Sequence, residues 1–143
     1  MSRRTLAAPT DDELRAFLEA KPIIAMVGAS SRPGRPSNDV MRSLLGAGYD
    51  VIPVNPMESR VHGIPAVPDL RSLPRQPHLV DVFRRVEFIP DIAREAADIG
   101  AQWLWLQLGL VSDEAARIAH DAGMQVVMNR CLIVEHHRLF GYP

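Results

Sequence analysis

The chain has 143 residues, a formal net charge of -1 and a single cysteine. That length suits one domain with one buried core, and so balanced a charge gives no global field for nucleic acid or an anionic membrane. With no internal disulfide, no apolar run of membrane-spanning length and no signal-peptide core, the expected setting is the reducing cytoplasm.

In chain order, Thr10 and Glu13 have capping-box spacing and predict a helix from about Asp11 to Ala20, with Leu14, Phe17 and Leu18 on one face. Residues 1–20 are therefore expected to be a helical extension packed on the rest of a single domain, residues 1–143. Ile23 to Val27 is an unbroken apolar run, the pattern of a buried parallel strand. It empties into the polar loop Gly28-Ala29-Ser30-Ser31-Arg32-Pro33-Gly34-Arg35, and a helix is predicted from about Ser37 to Ala47. Val51 to Val54 is the second strand, and the prolines at 65, 68 and 74 leave room between Val61 and Leu73 only for a short edge strand and a turn of helix. Leu79 to Phe83 is a further strand. A helix from about Phe88 to Ile99 leads to the strand Trp103 to Leu106. Ser112 caps a helix to Ala122, Val126 to Met128 forms the last strand, and Leu132 to Leu139 is helical.

This alternation predicts an α/β fold, a single Rossmann-type doubly wound parallel sheet of about five to six strands with helices on both faces. The loops after the strands then open on one edge. That edge receives Gly28 to Arg35, Asn55-Pro56, Arg84-Arg85, Gln107-Leu108-Gly109 and Asn129-Arg130-Cys131. Ligands of such sheets bind there.

The first of these loops has the chemistry of an anion site. Gly28 lets the backbone come close to a ligand, the helix start leaves N–H groups unpaired, and Arg32 and Arg35 add charge. The dinucleotide fingerprint would need glycines at positions 30 and 33, where the chain has Ser30 and Pro33, and no Gly-Lys-Ser/Thr follows the strand. The second strand ends in Val54-Asn55-Pro56 without the carboxylate that holds NAD ribose hydroxyls. A phosphate-bearing nucleotide met by Arg32, Arg35 and Arg84 fits these residues. An NADP-dependent oxidoreductase, with Arg60 on the 2′-phosphate, is the alternative.

The ordered set Val27-Gly28-Ala29-Ser30, Arg32-Pro33, Arg35-Pro36-Ser37, Val51 to Pro56, Val80-Asp81-Val82-Phe83-Arg84-Arg85, Trp105 to Gly109 and Asn129-Arg130-Cys131 resembles the small stand-alone CoA-binding proteins. These in turn resemble the CoA-binding amino-terminal domain of the succinyl-CoA synthetase α subunit. The likeness runs from about Leu14 to His136. It implies a Rossmann-type domain that binds CoA or an acyl-CoA, with no assigned reaction. It further implies that Gly28, Ala29, Ser30, Ser31 and Arg32 line the phosphates, that Asn55 and Pro56 lie toward the adenosine, and that Phe83, Arg84, Gln107, Leu108 and Gly109 border the pantetheine. Asn129 and Arg130 complete the expected edge. Relatives often carry lysine directly after Asn-Pro; here Met57 stands there, so a contact to the CoA 3′-phosphate would fall to Arg32, Arg35 or Arg60.

Each of these residues also has a purely structural role to weigh. Gly28 suits any tight strand-to-helix turn, Arg35 any exposed surface, and one of Arg84 and Arg85 a structural contact. Asp81, alternating with apolar neighbours, reads as a paired structural carboxylate. Trp103 and Trp105 share a strand face and read as core or interface packing. Cys131 reads first as a small buried hydrophobe, with a mixed disulfide to CoA as the sharper reading. The histidines at 62, 78, 120, 136 and 137 show no metal-ligand spacing. No nucleophile elbow or carboxylate pair marks catalysis. The chain is thus expected to be a binding module and not an enzyme. A nucleotide-responsive redox or regulatory protein is a third reading, and a protein partner or homo-oligomer stays open.

Overall fold

The computed structural model describes residues 7–142, so residues 1–6 of the expected extension lie outside the described residues. Helix α1 (Asp11–Glu19) starts at the expected capping box: Glu13 N–H donates to Thr10 Oγ1 at 3.1 Å, and Thr10 N–H donates to Glu13 Oε1 at 2.9 Å. It buries Leu14 and Leu18, and Phe17 stacks on Trp103 with ring centroids 4.3 Å apart. Helix α1 is thereby anchored to the sheet.

Strand β1 (Ile23–Val27) is followed by α2 (Pro36–Gly46) and β2 (Asp50–Val54). A small antiparallel hairpin comes next, β3 (Arg60–Val61) and β4 (Ile64–Pro65), with a 3-10 turn at Leu70–Ser72. The proline spacing predicted one short strand here and the chain forms two. Then follow β5 (Leu79–Val82), α3 (Ile89–Asp98), β6 (Trp103–Leu106), α4 (Asp113–Asp121), β7 (Gln125–Val127) and α5 (Leu132–Phe140).

The main sheet has five strands in the order β2-β1-β5-β6-β7, and every pairing in it is parallel. Chain direction across the sheet reverses between β1 and β5, which puts a topological switch point at their carboxyl ends. Alternation along the strands makes two apolar layers. Ile24, Met26, Leu79, Trp103 and Trp105 pack under α1, α2 and α5. Ala25, Val80, Val82, Leu104 and Leu106 pack under α3 and α4.

Two details explain how the sequence tolerates this frame. Pro53 lies on the edge strand β2, where its carbonyl accepts Val67 N–H at 3.0 Å on the side away from β1, so its missing N–H costs the β1 pairing nothing. The last strand is shifted one residue earlier than the apolar triplet Val126 to Met128 suggests. Pairing with β6 begins at Gln125 opposite Trp103, and the chain leaves the sheet through Asn129, whose φ is 60°.

Candidate functional site

At the switch point, Gly28 leaves β1 with φ of 87°. A side chain there would run into the carbonyl oxygen of Phe83 and would come within 2.9 Å of its carbonyl carbon. Gly28 therefore serves both the positive φ and the close passage of β1 beside the end of β5. Its N–H donates to Val54 O at 2.9 Å. The loop after it is stitched to its surroundings: Asn38 Nδ2 donates to Ser30 O at 2.9 Å, Arg32 N–H to Ser30 Oγ at 3.1 Å, and Asn55 Nδ2 to Ala29 O at 2.8 Å. Helix α2 begins directly behind, with Pro36 in its first turn and no side chain capping its free N–H groups.

These elements enclose a cavity of about 1080 Å³. Of the residues singled out in the sequence, Gly28, Ser30, Ser31, Arg32, Arg35, Asn55, Phe83, Arg84, Gln107 and Leu108 line it. The other five expected residues stand outside its wall, for distinct reasons. Ala29 is fully buried and contributes only its carbonyl, to Asn55. Pro56 is exposed in the turn after β2. Gly109 N–H donates to Asn129 Oδ1 at 2.7 Å, tying the β6 and β7 loops together. Asn129 and Arg130 line a neighbouring groove of about 510 Å³ instead, where Arg130 pairs with Glu135 at 3.1 Å.

The wall also holds residues for which the sequence suggested no part in binding. Ser37 and Val40 enter from the first two turns of α2, and Leu110 from the loop after β6. Glu58 is the more consequential. Its carboxylate accepts from Ser31 through the backbone N–H and through the hydroxyl, and these bonds, with Arg32 nearby, hold its carboxyl below the ordinary glutamate range. The only local signal was an acidic residue shortly after the second strand.

Positive charge at the rim is uncommitted. Among the described residues, Arg32, Arg35, Arg84 and Arg85 form no ion pair, while eight pairs occupy other arginines and acids. Arg84 lies over the Phe88 ring, 4.5 Å from guanidinium carbon to centroid. Cys131 is half-buried on the boundary of both cavities and precedes α5 without capping it. Its neighbour Arg130 is turned to Glu135 and not to the thiol. Trp105, read as packing, is fully buried and donates Nε1–H to Arg130 O at 2.8 Å. Asp81, read as paired, has no cation partner; Gln107 Nε2 donates to its Oδ1 at 2.6 Å, and burial pushes its carboxyl up to about 7.

A doubly wound five-strand parallel sheet with a glycine-led loop and a large cavity at its switch point defines a Rossmann-like α/β domain. The family is more specific. The model of the CoA binding domain family matches residues 23–137, and the chain belongs to that family. The Bacillus subtilis protein YneT is 38% identical over 128 residues, covering 90% of this chain and 95% of YneT. A solved protein from Pyrococcus horikoshii superposes with a TM-score of 0.90 at 38% identity, covering 93% of this chain and 94% of that one. The dinucleotide-forming acetyl-coenzyme A synthetase 1 of Ca. Korarchaeum cryptofilum gives a TM-score of 0.69 at 22% identity, covering 80% of this chain and 27% of that one. That last likeness is one of fold.

Proposed function

We propose that the chain binds CoA or an acyl-CoA in the cavity at the switch point, as a binding module without chemistry of its own. The observation that carries this reading is the cavity's rim, where Arg32, Arg35 and Arg84 stand unpaired around a loop that only glycine can bring so close to β5. A CoA pyrophosphate is the anion such a rim fits, because guanidinium groups bind phosphate in a forked, charge-assisted geometry. Membership of the CoA binding domain family supports the same ligand.

In this reading Gly28, Ser30, Ser31 and Arg32 meet the phosphates, and Ala29 holds the loop in place through Asn55. Asn55 lies toward the adenosine, and Phe83, Arg84, Gln107 and Leu108 border the pantetheine arm. At about 1080 Å³ the cavity stands at the top of the range of small-molecule sites, about 300 to 1,000 Å³, as a ligand of this length requires. The test is to purify the protein without added nucleotide, denature it and identify the released ligand by mass spectrometry. CoA or an acyl-CoA supports the reading, and a nicotinamide nucleotide overturns it.

A further inference from the structure

Asp81 occupies the middle strand of the sheet and is fully buried. It faces the α1, α2 and α5 side with Leu79, and its register neighbours are Met26 on β1 and Trp105 on β6. Its Oδ1 accepts from Gln107, and its Oδ2 has no partner. Gln107 is itself nearly buried, yet it lines the cavity. One amide therefore spans the distance between a buried acid and the ligand space.

We propose that Asp81 is a positioning residue that decides which end of the Gln107 amide faces the cavity, and so whether the ligand meets a carbonyl acceptor or an N–H donor. The reason is donor and acceptor chemistry. An ionised carboxylate only accepts, so it must take the amide N–H, which leaves Gln107 Oε1 for the cavity. A protonated Asp81 donates its O–H, which Oε1 accepts after a half-turn of the amide, and the NH2 group then faces the ligand. The same short contact serves both arrangements. Burial pushes Asp81 up to about 7, opposed by the Gln107 hydrogen bond, so both forms are populated near neutral pH.

Other charges on the elements over this face are engaged elsewhere. On α1, Arg15 donates to Leu139 O and Asp11 pairs with Arg138, while Asp12, Glu13 and Glu19 lie on the exposed side. On α2, Asp39 and Arg42 pair with each other. On α5, Glu135 pairs with Arg130 and Arg138, His136 Nδ1 meets the Tyr49 hydroxyl, and the His137 ring stacks on Tyr142. None of these groups contributes to the upward displacement of Asp81, which burial alone produces. Cys131, beside the cavity, makes no hydrogen bond to Asp81 among the described residues.

A pantetheine arm carries amides, so it can use either presentation; that identity of the ligand rests on the CoA reading above, whereas the amide switch does not. The test begins with ligand-free protein carrying nitrogen-15 in its glutamines, followed by NMR from mildly acid to mildly alkaline pH. The Gln107 side-chain NH2 signals are expected to move in one titration centred near pH 7, and to stand still in Asp81→Asn. Over the same range CoA affinity should change about fivefold in the unaltered protein, the worth of roughly one uncharged hydrogen bond, and should be flat in the variant. Gln107 signals that do not titrate, or titrate equally in Asp81→Asn, overturn the proposal. Should Asp81→Asn fail to fold, the carbon-13 shift of the Asp81 carboxyl decides: titration near neutrality together with Gln107 supports the proposal, and titration in the ordinary carboxylate range overturns it. If CoA binds at no pH while the amide still follows Asp81, the CoA reading falls and the switch stands.

Discussion

The carboxylate of Glu58 accepts both donors of Ser31, the backbone N–H at 2.6 Å and the hydroxyl at 2.8 Å. Ser31 belongs to the loop where the phosphate is expected, so a side chain of the protein holds the donors that an anionic ligand would use. Glu58 stays ionised at neutral pH, because the Ser31 bonds and the charge of Arg32 hold its carboxyl below the usual range. An incoming phosphate must displace a like charge. Glu58→Gln is therefore expected to bind CoA about tenfold more tightly, as charge-assisted bonds to Ser31 become free for the ligand. Isothermal titration of both proteins checks this, and weaker binding by the variant would mean that Glu58 itself contacts the ligand.

Arg32→Ala is expected to lose about tenfold or more in CoA affinity, since a hydrogen bond to a charged group is worth about 1.5–3 kcal/mol. Its midpoint in a denaturant titration should not move, because Arg32 is exposed and pairs with no acid among the described residues. Dephospho-CoA serves as the companion ligand. Met57, directly after Asn55-Pro56, is 87% exposed and brings no charge, so CoA and dephospho-CoA should bind alike where no arginine takes over the 3′-phosphate. A clear preference for CoA would show that an arginine meets the 3′-phosphate.

The frame of the fold was legible because its signals are local. The apolar run Ile23 to Val27, the spacing of Thr10 and Glu13, and Ser112 ahead of an amphipathic stretch each state their structure within a few residues. The family-level reading came from ordered motifs along the whole chain, and the match over residues 23–137 supports it. What stayed hidden depends on partners far apart in sequence. Glu58 folds back onto Ser31, 27 positions earlier, and Gln107 reaches Asp81 across 26. Alternation predicted that Asp81 is buried but could not supply its partner, and a neutral amide replaces the cation that a buried carboxylate leads one to expect. At the expected edge Gly109 N–H is tied to Asn129 Oδ1, and Asn129 and Arg130, the latter bonded to Glu135, line a neighbouring groove instead.

Burial of Asp81 also makes stability depend on pH. Its folded pKa of about 7 lies above the ordinary value of 3.8, so between those values the folded chain holds a proton that the unfolded chain releases. The Asp81 contribution is fully present below about pH 4 and is lost as pH rises through 7. It amounts to about 4 kcal/mol, at 1.36 kcal/mol per pKa unit. Urea unfolding at a series of pH values should show the decline in the unaltered protein and a flatter profile in Asp81→Asn. Identical profiles would contradict it.

Cys131 supplies a chemical probe of the site. If CoA disulfide enters the cavity, the Cys131 thiolate can attack one of its sulfurs, forming the Cys131–CoA mixed disulfide and releasing the second CoA as its thiol. Intact-mass measurement is expected to show one CoA adduct, absent from Cys131→Ser, while CoA binding by that variant is unchanged. An unreactive Cys131 would leave it as packing at the cavity boundary and would end the redox reading.

A cavity that holds CoA should prefer it to other nucleotides. The most direct test is parallel isothermal titration of the purified, nucleotide-free protein with CoA, NADH and NADPH at low and moderate salt. CoA is expected to bind most tightly, with an affinity that falls as salt screens the rim arginines. Tighter binding of either nicotinamide nucleotide would contradict the account and favour an oxidoreductase.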